Sequence, residues 1–177
     1  DYLSGTVVWD PALPENSKSF RTQAYSELVK TLAALHEINP QAVGLQDFGR
    51  PGNYFSRQVS RWTRQYRASE TQARPDMDWT IDWLSQNLVA DDGQVSIVHG
   101  DYRLDNVMFD AHSTKLIAVL DWELSTLGHP FSDLAYQCMG LRLPQDFLIK
   151  GLGALDRTAL GIPDEAEYVA QYCDLRD

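Results

Sequence analysis

An α+β fold, mainly helical with one small β-hairpin, is what the sequence predicts, and three observations carry that expectation. Apolar residues recur at spacings of three and four through 20–38, 54–69 and 79–87, the period of an amphipathic helix. Two short apolar runs, Val107–Phe109 and Leu116–Leu120, flank the polar turn Asp110–Lys115, which is a hairpin pattern. The 177 residues, 44% hydrophobic and 11% aromatic, suit one globular domain that buries roughly two-thirds of its unfolded surface.

Taken in order, Thr6–Trp9 reads as extended, and Pro11 and Pro14 forbid a regular helix directly after it. Ser17 or Ser19 caps a helix over about 20–38, with Ala24, Leu28, Leu32 and Leu35 as its apolar stripe. His36 sits in its last turn, where a structural role outweighs a catalytic one, and Asn39-Pro40 stops it. The loop through Gly49-Arg50-Pro51-Gly52-Asn53 is rich in turn formers. In the 54–69 helix, Phe55, Val59, Trp62 and Tyr66 form a stripe, with Arg57, Arg61, Arg64 and Arg67 around the rest. That stripe reads as core packing, with the wall of a substrate cleft as the alternative. Asp76 or Asp78 caps the 79–87 helix, whose Trp79, Trp83 and Leu84 are expected to point inward. Asp91-Asp92-Gly93 turns the chain into a strand over 95–98. Beyond the hairpin, 125–130 reads as a loop, and Pro130 suits the first turn of a helix that begins properly at Asp133. Asp164-Glu165-Ala166-Glu167 opens a short helix through Tyr172.

Fifteen basic residues against 25 acidic ones give a formal net charge of −10, which argues against a nucleic-acid partner, since such binding rests on a basic footprint. No apolar run approaches the ~18 residues of a membrane span, so no membrane association is expected and a soluble, cytoplasmic protein is. The two cysteines, Cys138 and Cys173, are not spaced as a redox or zinc pair and read as buried or partly buried thiols.

The chemistry concentrates in His99-Gly100-Asp101-Tyr102-Arg103-Leu104-Asp105-Asn106 and, after the hairpin, in Asp121-Trp122-Glu123. A hairpin brings the loop before its first strand near the loop after its second, so Asp101, Asn106 and Asp121 converge. Phosphoryl transfer needs those residue types: a carboxylate to align the attacking hydroxyl and accept its proton, and hard oxygen ligands for Mg²⁺ on the nucleotide phosphates. Asp101 suits the first role; Asn106 and Asp121 suit the second. Two carboxylates ~4 Å apart repel by about 4 kcal/mol at an effective dielectric near 20, so such a site favours a divalent cation. Asp-x-x-x-x-Asn followed by a further Asp after a hairpin is also the order of the protein-kinase catalytic machinery.

On these residues the chain resembles the aminoglycoside phosphotransferase and choline kinase branch of the protein-kinase-like fold, with Gly100 where protein kinases carry Arg and Asp121-Trp122-Glu123 in place of Asp-Phe-Gly. The resemblance implies the large, C-terminal lobe of a kinase in which ATP is co-substrate, Mg²⁺ the cofactor and a small-molecule hydroxyl the acceptor. It also implies that Asp133 braces the catalytic loop. His99 is expected to fix that loop by hydrogen bonds, Asp105 to cap its turn, and Arg103 to reach a phosphate or to pair with Glu123. Residues 1–177 are then one domain in which 1–10 follow the hinge. No Gly-x-Gly-x-x-Gly occurs, so the small nucleotide-binding lobe is expected outside this stretch, the resemblance implies that the last C-terminal helices lie outside it too, and the isolated stretch is expected to be inactive. The Gly161-Ile162-Pro163 segment and Tyr168–Tyr172 resemble a subgroup often fused to, or associated with, acyl-CoA dehydrogenases, which implies a hydroxy-acid or hydroxyacyl acceptor ahead of an aminoglycoside-like alcohol. Two other readings remain open: a catalytically inactive kinase-derived module that binds a metabolite or partner, and a metal-dependent hydrolase, the latter disfavoured because histidine ligands are not clustered.

Overall fold

The computed structural model describes residues 2–176. Its regular elements are helices α1 (Lys18–Glu37), α2 (Tyr54–Ser69), α3 (Pro75–Gln86), α4 (Phe131–Arg142), α5 (Arg157–Leu160) and α6 (Glu165–Asp174), with short strands β1 (Gly5–Thr6), β2 (Ser96–Val98), β3 (Val107–Asp110), β4 (Leu116–Val119) and β5 (Thr126–Gly128). The expected α+β, mainly helical class is what the chain adopts.

Helix α1 is the centre of the core. Ser17 caps it by accepting the Phe20 amide at 3.2 Å. Its predicted stripe is buried: Ala24, Leu28 and Leu32 lie in one cluster with Val107 and Phe109 of the hairpin, Leu134 and Leu141 of α4, and Tyr168 and Tyr172 of α6, whereas Leu35 packs with Ile97 and Leu127. Buried phenols keep partners where the backbone offers them: Tyr102 donates to the Leu28 carbonyl at 2.9 Å and Tyr25 to that of Pro11 at 2.7 Å. At the far end of the chain Asp164 and Glu167 form a reciprocal capping box that starts α6.

The strands form two antiparallel sheets, one ordered β1-β3-β4 and one pairing β2 with β5. In the first, Val107 faces Val119 and Met108 faces Ala118, with a bulge before Phe109. In the second, Ile97 faces Leu127 and Val98 faces Thr126. The second pairing corrects the expectation that 125–130 is a loop. Because β2 leads to β3 and β4 leads to β5, the connections 99–106 and 120–125 both run between the same two sheets and must lie side by side.

Three further expectations change. Helix α2 contributes no buried residue, and Trp62 is 52% exposed, so its aromatic stripe is not core. Helix α3 begins at Pro75 behind Arg74, with Asp76 and Asp78 inside the first turn rather than capping, and its Trp79 (65% exposed) and Trp83 (48%) stack on each other facing outward. Of the cysteines, Cys138 is buried, its thiol pushed up to about 11 chiefly by burial, whereas Cys173 is exposed. No helix among the described residues is long and apolar enough to cross a membrane.

Since Leu28 is fully enclosed at the crossing of α1 with the hairpin, Leu28→Ala is expected to cost about 2–5 kcal/mol in urea unfolding of the chain. A loss below about 1 kcal/mol would show that α1 is not the centre of the core.

Candidate functional site

The 99–106 loop is held from beneath by one buried carboxylate. Asp133, in the first turn of α4, accepts the His99 amide through Oδ2 at 2.7 Å and the Gly100 amide through Oδ1 at 2.8 Å. His36 Nε2 lies 3.2 Å from the same Oδ2, and its Nδ1 lies 2.7 Å from the Tyr172 hydroxyl. A carboxylate only accepts, so Nε2 carries the hydrogen, and α1 and α6 are both tied through His36 to the loop. A carboxyl group buried this deeply is tolerable because its three hydrogen-bond partners are all donors.

His99 fixes the loop from the other side. Its Nδ1 accepts the Asp101 amide at 3.2 Å, which leaves Nε2 to donate to the Leu120 carbonyl at 2.7 Å. The ring also packs on Trp122, with centroids 4.8 Å apart. Gly100, at φ 86°, turns the chain between these anchors. A Cβ there would meet the Leu124 carbonyl oxygen at 2.6 Å, so both conformation and space require glycine.

With the backbone so fixed, Asp101 and Asn106 touch. Asn106 Nδ2 donates to the Asp101 carbonyl and to its Oδ2, both at 2.8 Å, while the Asn106 carbonyl accepts the Leu120 amide at 2.8 Å. The last bond places Asn106 against the residue preceding Asp121. Asp121 itself adopts the left-handed conformation at φ 62°, ψ 62°, and is exposed. Its side chain makes no capping bond to the turn Trp122–Leu124 that follows.

Arg103 does not pair with Glu123. It pairs with the carboxylates on either side of it, Nη2 to Asp105 Oδ2 at 2.7 Å and, more loosely, Nε to Asp101 Oδ1 at 3.5 Å. Carboxylates two residues away are nearer than Glu123, which is exposed in the Trp122–Leu124 turn. Asp105, engaged by Arg103, does not cap the Leu104–Asn106 turn.

Two cavities flank the loop. One of about 220 Å³ is lined by Tyr54, Phe55, Arg61 and Trp62 of α2 together with Gly100 and Tyr136, so half of the α2 stripe, Phe55 and Trp62, is a cavity wall. The other, of about 370 Å³, is lined by Trp9, Tyr25, Arg103, Leu141, Leu152 and again Tyr136. Tyr136 was not singled out by the sequence. Its phenol is pushed up to about 12 by burial first, then by hydrogen bonding to Asp101 and by that carboxylate's charge. The signal was its position: three residues after Asp133 it shares the helix face that meets the loop.

As for a metal, no cluster of three or more His, Cys, Asp or Glu occurs among the described residues. The donor set nevertheless suits Mg²⁺. Asn106 directs its amide nitrogen to Asp101, leaving Oδ1 as its free atom, and Asp121 offers an exposed carboxylate beside it. Two hard oxygen donors fit an ion that takes its other ligands from phosphates and water.

Residues 1–169 match the phosphotransferase enzyme family. Over 174 residues the chain is 43% identical to the mouse acyl-CoA dehydrogenase family member 10, covering 98% of this chain and 16% of that protein. It is 39% identical to the human acyl-CoA dehydrogenase family member 11, covering 99% of this chain and 22% of that one. The chain thus spans about a fifth of the curated relatives it matches. A crystal structure of a candidate aminoglycoside phosphotransferase from Ralstonia eutropha superposes with a TM-score of 0.95 at 49% identity, covering 99% of this chain and 54% of that one. An aminoglycoside phosphotransferase from Streptomyces rimosus, solved with ADP and streptomycin, shares the fold at a TM-score of 0.60 and 20% identity, with 97% and 64% covered.

Asp133→Ala strands two buried amides and His36 at once and is expected to cost about 3 kcal/mol or more. Hydrogen exchange should show the His99 and Gly100 amides losing protection beyond that of the α1 core. Unchanged protection at those two positions would mean that the loop is held by something else.

Proposed function

The chain belongs to the phosphotransferase enzyme family, and on that premise we propose that it forms the large lobe of an ATP-dependent small-molecule kinase that transfers the γ-phosphoryl group of ATP to a substrate hydroxyl. The observation that carries this reading is the Asn106 side chain bonded to the Asp101 carboxylate while its backbone is bonded to Leu120, next to Asp121. Asp101 is the catalytic base, and Asn106 and Asp121 hold Mg²⁺. When bound, the ion screens the phosphate charges and orients the γ-phosphate for in-line attack.

The protein's own part is mostly placement. Asp101 aligns the acceptor hydroxyl and takes its proton as the new O–P bond forms and the bond to ADP breaks. An aspartate is a weak base at its ordinary pKa, so alignment supplies most of the gain. The loop bearing it cannot drift, because its backbone is bonded to Asp133 on one side and to His99 on the other. Arg103 compensates Asp101 and Asp105 and so moderates the negative charge that ATP would otherwise meet.

The acceptor is a hydroxy acid or hydroxyacyl compound, or an aminoglycoside-like alcohol, lying against α2. The names of the matched relatives support both classes: acyl-CoA dehydrogenase family members on one side and aminoglycoside phosphotransferases on the other. We assign the nucleotide's other half-site to a small β-lobe in the longer polypeptide, with residues 1–10 following the hinge, and the chain to a fusion or association with an acyl-CoA dehydrogenase. The isolated 177 residues would then bind Mg-ATP poorly.

In the full-length polypeptide, screened for ATP consumption against hydroxylated metabolites, Asp101→Asn should lower kcat by about a thousand-fold or more while leaving nucleotide affinity within about two-fold. Wild-type turnover in that variant would remove Asp101 from the reaction.

A further inference from the structure

We infer that Asp92 and His129 are positioning residues for the acceptor: their contact latches helices α2 and α3 to the rest of the protein and so sets where the α2 wall of the 220 Å³ cavity stands. The inference rests on the phosphotransfer reading with the acceptor against α2, and it adds what holds that wall in register with the 99–106 loop.

Helices α2 and α3 are joined to each other, Arg67 Nη2 to Asp78 Oδ1 at 2.5 Å, and neither contributes a buried residue. Without a buried apolar face of its own, the pair takes its position from the two chain segments that root it, 49–53 and 87–94. Both roots pass through the left-handed region, at Gly52 (φ 72°) and Asn53 (φ 50°) on one side and at Gly93 (φ 82°) on the other. One carboxylate draws them together: Asp91 accepts the Asn53 amide through Oδ2 at 2.5 Å and the Gly93 amide through Oδ1 at 3.1 Å. Its neighbour reaches outward. Asp92 Oδ1 accepts the Gln94 amide at 3.0 Å and lies 3.1 Å from Nε2 of the buried His129. The Nδ1 of that ring accepts the Phe131 amide at 3.2 Å, so Nε2 carries the hydrogen and donates to Asp92. Packing surrounds this bond: Phe55 lies against the His129 ring with centroids 4.9 Å apart, and Tyr54 covers Gly128 so closely that a Cβ there would meet its ring at 2.4 Å. Rings in contact can slide, whereas the hydrogen bond is directional and fixes the register.

The bond matters for the cavity because of what His129 connects. Phe55, packed on its ring, lines the 220 Å³ cavity together with Trp62, Gly100 and Asp133. Four residues further along the chain, Asp133 holds the His99 and Gly100 amides. The short segment 129–133 therefore fixes both the α2 wall of the cavity and the loop that meets it at Gly100, the residue before Asp101. A wall displaced by ~1 Å would cost an acceptor its alignment, while Asn106 and Asp121, the proposed Mg²⁺ ligands, stand outside this chain of contacts. There is room for such a displacement: a cavity of about 310 Å³ lies between the two roots, lined by Asn53, Ser56, Leu88, Asp91 and His129 among others.

The test uses the full-length polypeptide, labelled with 5-fluorotryptophan for fluorine NMR and assayed with Mg-ATP and three probe acceptors, glycerol, 3-hydroxybutyrate and streptomycin. The Trp62 resonance, assigned through Trp62→Phe, reports the wall. In Asp92→Ala it should shift or split, and KM for the best probe should rise by about five-fold or more while kcat and KM for ATP stay within about two-fold of wild type. Asp92→Asn keeps an oxygen that can accept from His129 and should restore both readouts. His129→Phe, which keeps a ring between Phe55 and Phe131, should reproduce Asp92→Ala, and the double variant should be no worse than either single one. A merely structural pair would give additive losses in the double variant, or would lower kcat and raise both KM values together. Either result overturns the inference, as does a Trp62 resonance that stays in place in Asp92→Ala. If the wild type transfers phosphate to a probe and the variants match it, the inference alone falls. If the wild type transfers phosphate to none of the three, the phosphotransfer reading with these acceptors falls and takes this inference with it.

Discussion

A single buried carboxylate, Asp133, is what the site depends on. Its two oxygens accept successive backbone amides, those of His99 and Gly100, and one of them also faces His36. Backbone amides buried without partners would be costly, and a buried charge without donors would cost more; here each satisfies the other. The consequence reaches beyond stability. Because His36 belongs to α1 and its second nitrogen meets Tyr172 of α6, the position of the 99–106 loop is set by three helices packed in one core. The loop behaves as part of the scaffold rather than as a surface turn.

The second constraint is topological. Strand β2 pairs with β5 and β3 with β4, so the two connections between the sheets are neighbours along their length. His99 Nε2 reaches the Leu120 carbonyl and the Asn106 carbonyl takes the Leu120 amide, so the two loops are stitched at one residue from both faces. This fixes Asn106 relative to Asp121 without any direct contact between their side chains. Those side-chain oxygens are left unspent, which suits the divalent cation proposed for this site.

Part of this was legible in the sequence. The α1 stripe and the 107–120 hairpin were, because each is a local period repeated often enough to be read without its partners. Thr126-Leu127-Gly128 was not: three residues ending in glycine carry no local period, and their strand character comes from pairing with β2, about 30 residues earlier in the chain. The aromatic stripe of α2 misled for a different reason. Periodicity shows that a helix has an apolar face but not what lies against it, and this face looks onto a cavity. The pairing of Arg103 with Glu123 did not form, since Asp101 and Asp105 two residues away outcompete Glu123. Tyr136 needed the helix register of Asp133 to be noticed at all. The family resemblance supplied the brace; the contacts of His36 and Tyr172 behind it are visible only in three dimensions.

The central claim is that Asn106 and Asp121 form one divalent-cation site that serves a nucleotide. Electron paramagnetic resonance of Mn²⁺, in place of Mg²⁺, titrated into the full-length polypeptide with a non-hydrolysable ATP analogue, addresses it without requiring the acceptor to be known. The account predicts a nucleotide-dependent bound signal that weakens by at least about ten-fold in affinity in both Asn106→Ala and Asp121→Ala, with the folded state retained. Wild-type Mn²⁺ binding in either variant would contradict it.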